Sequence, residues 1–218
     1  MRRFAFIGVT TGSSSIMRIW PRWREVLGLG ADVELVEPAV DALVAGGIEA
    51  VELTFTTPGV AAELAAARRR HPDLLLGAGT IRRPEEATAA ADAGADFLVM
   101  PHLDRDLLGA CLATGLPSMP GVFTASELGT ALGAGAEVVK LFPAGTGGPG
   151  HLRALLGPFP GVPVVPTGGI GLDDVGTWLD AGALAVGVGG ELGSTELIEG
   201  GRFEELSRRA RTFREAAA

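Results

Sequence analysis

Lysine is almost missing from this chain. Of its 18 basic residues, all but Lys140 are arginines. Cysteine is as scarce: Cys111 stands alone, so no disulfide can form within the chain, and a reducing compartment such as the cytoplasm is expected. Positive charge is in deficit overall. A formal net charge of −8 argues against nucleic acid as a partner. No run of about eighteen apolar residues occurs, so neither a membrane-spanning helix nor a membrane partner is expected. The opening "MRRFAFIGVTTGSSS" mimics an export signal, but its apolar patch stops after about six residues, short of the roughly 7–15 such a signal uses. It reads as a first strand. The three histidines, His71, His102 and His151, lack metal-ligand spacing, so no metal is expected. The arginine cluster at 67–72, "ARRRHP", reads as a solvated helix end.

What is abundant is apolar surface, 47% of the chain, and glycine, with 33 residues. A length of 218 residues suffices to bury one sizeable core. One unit recurs: a helical stretch, then Ala-Gly, then an apolar run. It appears as "LVAGGIEAVELTF", "AADAGADFLVM", "ALGAGAEVVKLF" and "WLDAGALAVGVG", roughly 40–48 residues apart. The glycine reads as a helix C-cap, since it alone takes the left-handed conformation cheaply. The runs that follow are apolar without strict alternation, the pattern of a strand buried on both faces in a parallel sheet. "DLLLGAG", "LPSMPGV" and "VPVVPTGG" supply three more strands, separated by helical stretches such as "TIRRPEEATAAAD" and "TASELGTALG". A Thr, Ser or Asp is expected to cap such helices.

Residues 48–189 thus carry seven strands, and one near the N-terminus makes eight. Strands alternating with helices predict an α/β fold, and eight close a (β/α)₈ TIM barrel. An open sheet would carry a Gly-rich fingerprint after its first strand, which "IGVTTGSSS" does not match. The first strand is either "FAFIGVTT", followed by a helix over "SSSIMRIWPRWREVLG", or "DVELVE".

Alternate residues of a barrel strand point into the lumen. In "IEAVELTFT", Ala50, Glu52, Thr54 and Thr56 share one face, and Val51, Leu53 and Phe55 the other. In "EVVKLF", Val138, Lys140 and Phe142 share a face opposite Val139 and Leu141. The alternation therefore predicts that Glu52 and Lys140 both point inward. Thr80, Pro101 and Thr167 fall at strand C-terminal ends, where barrel active sites form. A buried carboxylate and a buried lysine are costly unless paired or used. One reading is a buried salt bridge between them. The other is chemical. Burial favours the neutral amine, which attacks a ketone to form a Schiff base, and a nearby carboxylate moves protons. That is class I aldolase chemistry, with no cofactor beyond the covalent Schiff base through Lys140. "PTGGIG" at 166–171 and "GVGGELG" after the last strand are Gly-rich turns placed where barrels hold phosphate.

The segments "VELTFTTP", "GAGT", "PHLD", "MPGVFTASEL", "VVKLFPA", "GPFPGVPVVPTGGI" and "LAVGVGGEL" occur in order. From about residue 38 to the end the chain resembles the 2-keto-3-deoxy-6-phosphogluconate (KDPG) and 4-hydroxy-2-oxoglutarate (KHG) aldolases. The resemblance implies one barrel domain over 1–218, a homotrimer, and a small-molecule substrate cleaved reversibly to pyruvate and an aldehyde. It implies Lys140 as Schiff-base lysine and Glu52 as general acid/base. Thr80 would lie near the pyruvate carboxylate, Pro101 and Phe142 would wall the pyruvyl group, and Thr167 would flank the substrate chain. Gly168, Gly169, Gly189 and Gly190 would receive a phosphate.

Three positions depart from that pattern. The family places an arginine for the pyruvate carboxylate on its first strand or four residues after the glutamate; here the second position is Thr56, and neither candidate first strand holds an arginine. Arg18, Arg22 or the hydroxyls of Thr10, Thr11 and Ser13–Ser15 are the candidates to replace it. A serine common in the last loop is Gly190, followed by Glu191, whose charge is unfavourable beside a phosphate. Residues 1–37 are atypical and more similar to the opening of shikimate-dehydrogenase-like substrate domains. The competing function is a catalytically impaired barrel that binds small keto acids or serves as a scaffold.

Overall fold

Gly94, Gly135 and Gly182 take positive φ, between 88° and 104°, and turn the chain from helix into strand as expected; in the first unit it is Gly47, one residue after the Ala45-Gly46 pair, that does so at 87°. A computed structural model describes residues 4–9 and 36–218 of the chain. Its strands are β1 (Phe4–Val9), β2 (Ala50–Thr54), β3 (Leu75–Gly79), β4 (Phe97–Val99), β5 (Ser118–Met119), β6 (Gly121–Val122), β7 (Val139–Leu141), β8 (Val164–Pro166) and β9 (Ala185–Val188). All pairings are parallel.

Two sheets share one closed ring. The first runs β5-β4-β3-β2-β1-β9 and the second β6-β7-β8. Pro120 explains the break between β5 and β6: it has no N–H to donate, so the ladder is interrupted. The backbone is continuous there. Met119 accepts from Met100 N–H at 2.9 Å on one side, and Pro120 accepts from Lys140 N–H at 3.0 Å on the other. At the second seam, Leu184 N–H donates to Val164 at 2.9 Å and Thr167 bridges Gly187. With residues 118–122 counted as one strand, the barrel has eight. It is the expected (β/α)₈ arrangement.

The first strand is Phe4–Val9, hydrogen-bonded between β2 and β9. The alternative strand at "DVELVE" is overturned at its C-terminal end, because Val36 and Glu37 open the Val36–Ala45 helix, whose Pro38 fits a first turn. The helix expected over 13–28 and the hydroxyls and arginines from Thr10 to Arg22 lie outside the described residues. Capping is as expected at Asp104 and Thr124, whose side chains accept from Leu107 and Glu127 N–H; Glu127 answers Thr124 in a capping box. It is not as expected before Pro84, where the N-cap is Arg83 and the helix relies on proline in its first turn.

Alternation divides the apolar residues as the sequence predicted. Val51, Leu53, Leu76, Ala78, Leu98, Met100, Val139 and Leu141 join the large core between strands and helices. Ala50, Phe97, Val99, Met119, Val165 and Ala185 form a separate cluster inside the barrel. Cys111 belongs to the outer core, where burial pushes its thiol up to about 11 and leaves it un-ionised. The arginine cluster is only partly a solvated end. Arg68 donates to the carbonyls of Gly94, Pro72 and Leu74 and pairs with Asp96, so it staples two loops. Among the described residues no helix is long and apolar enough to cross a membrane.

Candidate active site

Glu52 and Lys140 enter the lumen from β2 and β7 above the apolar cluster. They are 3% and 6% exposed, and Glu52, Thr54, Glu86, Ser118 and Lys140 are the buried polar or charged side chains among the described residues. The salt-bridge reading does not hold: no ion pair within 4.0 Å joins Glu52 to Lys140 among the described residues. The two still interact at longer range. Burial pushes the Glu52 carboxyl above the usual carboxylate range, and the Lys140 charge pulls partly the other way. A buried carboxyl facing an amine across the lumen is placed to pass a proton during catalysis.

Missing side chains make room for this pair. The register sets Thr54 opposite Gly79 and Glu52 opposite Gly77. A Cβ on Gly79 would collide with the Glu52 carboxylate, so the carboxylate rests in the space that glycine leaves. Gly77 makes the same allowance for the Phe97 ring, Gly121 for the Pro101 carbonyl and Gly187 for Thr167. These four seats escaped the sequence reading. The available signal was a glycine on the lumen parity of a strand, as in "LLLGAGT" and "AVGVG".

The predicted neighbours of Lys140 fall at the barrel mouth. Its Nζ stands 4.8 Å from the Phe142 ring centroid, within cation–π range. Phe142 is 37% exposed, and its ring lies against Gly168, where a Cβ would come within 3.1 Å. Gly121, seating Pro101, is the register partner of Lys140. Thr80 follows β3 at φ 56°, an unusual value for a β-branched residue and a form of strain that accompanies functional sites. Thr54 Oγ1 and Thr56 Oγ1 lie 2.8 Å apart beside Glu52.

The two Gly-rich turns differ in build. Gly168 and Gly169 take φ 92° and 71°, a double left-handed turn that only glycine accepts readily. Ala144 and Gly145 N–H donate to Thr167 and Gly168 carbonyls, both at 2.8 Å. The trans Gly168–Gly169 peptide therefore turns its N–H away from that helix. Gly189 and Gly190 follow β9, with Gly189 accepting from Leu192 and Gly193 at 3.0 Å. Glu191 lines a hollow of about 440 Å³ together with Glu205, Arg208 and Arg209, beside the last helix.

The profile of the KDPG and KHG aldolases matches residues 26–209. The 2-dehydro-3-deoxy-phosphogluconate aldolase of Treponema pallidum is 38% identical over 176 residues, 80% of this chain and 84% of that one. The KHG/KDPG aldolase of Escherichia coli K12 is 33% identical over 186 residues, 85% of this chain and 87% of that one. Among solved structures, the KDPG aldolase of Legionella pneumophila, with pyruvate captured at low pH as a covalent carbinolamine intermediate, aligns with a TM-score of 0.81 at 30% identity, covering 96% of this chain and 94% of that one.

Proposed function

The chain belongs to the KDPG and KHG aldolase family, and we propose that it cleaves a 2-keto-3-deoxy sugar acid, or 4-hydroxy-2-oxoglutarate, through a Schiff base on Lys140. The observation that carries this reading is the placement of one buried lysine and one buried carboxyl on opposite walls of a lumen that glycines keep open.

The Lys140 amine adds to the C2 carbonyl and water leaves, forming a protonated imine. Glu52, directly or through water, takes the proton of the C4 hydroxyl. The C3–C4 bond then breaks, its electron pair flows to the imine, and an aldehyde departs. The enamine left behind takes a proton at C3, and water hydrolyses the imine to free pyruvate and the lysine. Arginine could not replace Lys140, because its guanidinium stays protonated and forms no imine. Phe142 and Pro101 flank the pyruvyl group, and Thr167 the substrate chain.

A 6-phosphate on the substrate is favoured by the double turn at Gly168 and Gly169, whose N–H edge suits an anion. Gly189 and Gly190 contribute the opposite edge. Glu191 counts against a phosphate at this edge; it lines the neighbouring hollow with Glu205, Arg208 and Arg209. The proposal takes residues 1–218 as one cytoplasmic barrel domain acting as a homotrimer, for which sedimentation equilibrium should give three times the 22.3 kDa chain mass.

Steady-state cleavage of KDPG, its galactonate epimer and 4-hydroxy-2-oxoglutarate, followed by pyruvate release, tests the function. Turnover of any one supports it. Binding without turnover of all three would leave the keto-acid-binding alternative.

A further inference from the structure

The segment "KLFPAG" runs from the nucleophile, Lys140, to Gly145 in the first turn of the helix Ala144–Leu156. That first turn lies on the double glycine turn after β8. Ala144 N–H holds the Thr167 carbonyl and Gly145 N–H the Gly168 carbonyl, both at 2.8 Å. Backbone meets backbone here. A Cβ on Gly145 would come within 3.0 Å of the Gly169 carbonyl oxygen and 3.3 Å of the Gly168 oxygen, and a Cβ on Gly169 within 3.5 Å of the Gly145 Cα. On its other side the turn carries the Phe142 ring against Gly168. Gly145 keeps helical backbone angles and no positive φ, so its own conformation does not call for glycine. Helix propensity favours alanine there. What calls for glycine is the approach to the turn. An added Cβ meets only backbone atoms, which cannot swing aside, so the turn itself would have to shift. With the Gly168 carbonyl held by the helix, the Gly169 N–H of the same peptide points the opposite way. Among the described residues that N–H has no hydrogen-bond partner.

We propose that Gly145 is a positioning residue that sets specificity: by bringing no side chain, it seats the Gly168–Gly169 turn so that the Gly169 N–H faces the anionic tail of the substrate. Gly145 touches no substrate and acts only through the turn. The proposal rests on the 6-phosphate reading above and extends it to a residue outside the turn. A small shift of the turn misaims a hydrogen bond to a charged acceptor, which is among the stronger kinds. It leaves Lys140 and Glu52, on other strands, where they are. The loss therefore falls on substrates that carry the phosphate.

The test compares steady-state cleavage of KDPG with that of the same acid lacking its phosphate. Protein is measured as found, as Gly145→Ala, as Gly169→Ala and as Gly150→Ala. Gly150 is the control: it lies in the same helix, is exposed, and has nothing within 4 Å of an added Cβ. Gly145→Ala should raise KM for KDPG about tenfold, while KM for the unphosphorylated acid and the half-saturating pyruvate concentration for borohydride trapping move less than about twofold. Gly169→Ala enters the same contact from the other side, adds left-handed strain, and should lose KDPG at least as strongly. It carries the test if Gly145→Ala does not fold. Gly150→Ala should change neither substrate. An unchanged KM for KDPG in both contact variants, equal losses on both substrates, or the same loss in Gly150→Ala overturns the proposal. If the unsubstituted protein traps pyruvate but shows no preference for the phosphorylated acid, the phosphate reading falls and the proposal with it, while the Schiff-base reading stands.

Discussion

The lower lumen is filled by Ala50, Phe97, Val99, Met119, Val165 and Ala185, whereas the upper lumen, two residues further along the same strands, holds Glu52, Lys140, Thr167 and gaps. Met119 gives way to Gly121, Ala185 to Gly187 and Val165 to Thr167 without any change of strand parity. The difference is one of volume at the glycines and of polarity at Glu52, Lys140 and Thr167. The bulky layer closes the barrel and stabilises it, and the glycine layer frees space in which polar side chains face each other away from water. One half of the lumen should therefore answer to stability measurements and the other to kinetics.

Glu52→Gln breaks the upper half most strongly. It removes the proton carrier while keeping the shape, so turnover should fall about 10²–10⁴-fold in steady-state cleavage, with the pyruvate adduct still formed. Phe97→Ala attacks the lower half. It empties a ring-sized space and should cost about 3–5 kcal/mol in denaturant unfolding while the remaining folded protein still traps pyruvate. Gly79→Ala sits at the boundary. Its Cβ would displace the Glu52 carboxylate, and turnover should fall on the order of 10²-fold, the scale of a misplacement near 1 Å. Met119→Leu keeps the volume of the lower layer and should cost less than about 1.5 kcal/mol, with kinetics unchanged.

The smallest effect is a pH dependence. The folded protein holds the Glu52 proton more tightly than the unfolded chain does. Its contribution is fully present below the unfolded carboxyl value and is lost as pH rises through the folded one. Glu52→Gln should therefore be more stable than the parent at neutral pH, and the gap should close as pH falls into the ordinary carboxylate range. Paired denaturation curves at the two pH values measure it. A gap that stays constant would mean that Glu52 titrates normally.

The barrel was legible because its signals are local. Gly47, Gly94, Gly135 and Gly182 each end a helix by their own backbone chemistry, and period-two alternation aims Glu52 and Lys140 inward whatever surrounds them. The gaps were not legible, because Gly79 seats Glu52 only through a cross-strand register that neither segment encodes alone. The same holds for Glu191. Its place after "GVGG" suggested repulsion at an anion site, and nothing in the local sequence showed that it also lines a hollow with Glu205, Arg208 and Arg209 of the last helix. Arg68 misled for a related reason: three consecutive arginines look alike in sequence, and only one finds Asp96 and three carbonyls.

The central claim is that Lys140 is the nucleophile, and the chain is unusually suited to testing it, since no other lysine can take the label. Incubation with pyruvate and borohydride, followed by digestion and peptide mass measurement, should give a stable adduct on the Lys140 peptide that is absent from Lys140→Arg. An unmodified Lys140 peptide, or an adduct confined to the N-terminal amine, would contradict the account.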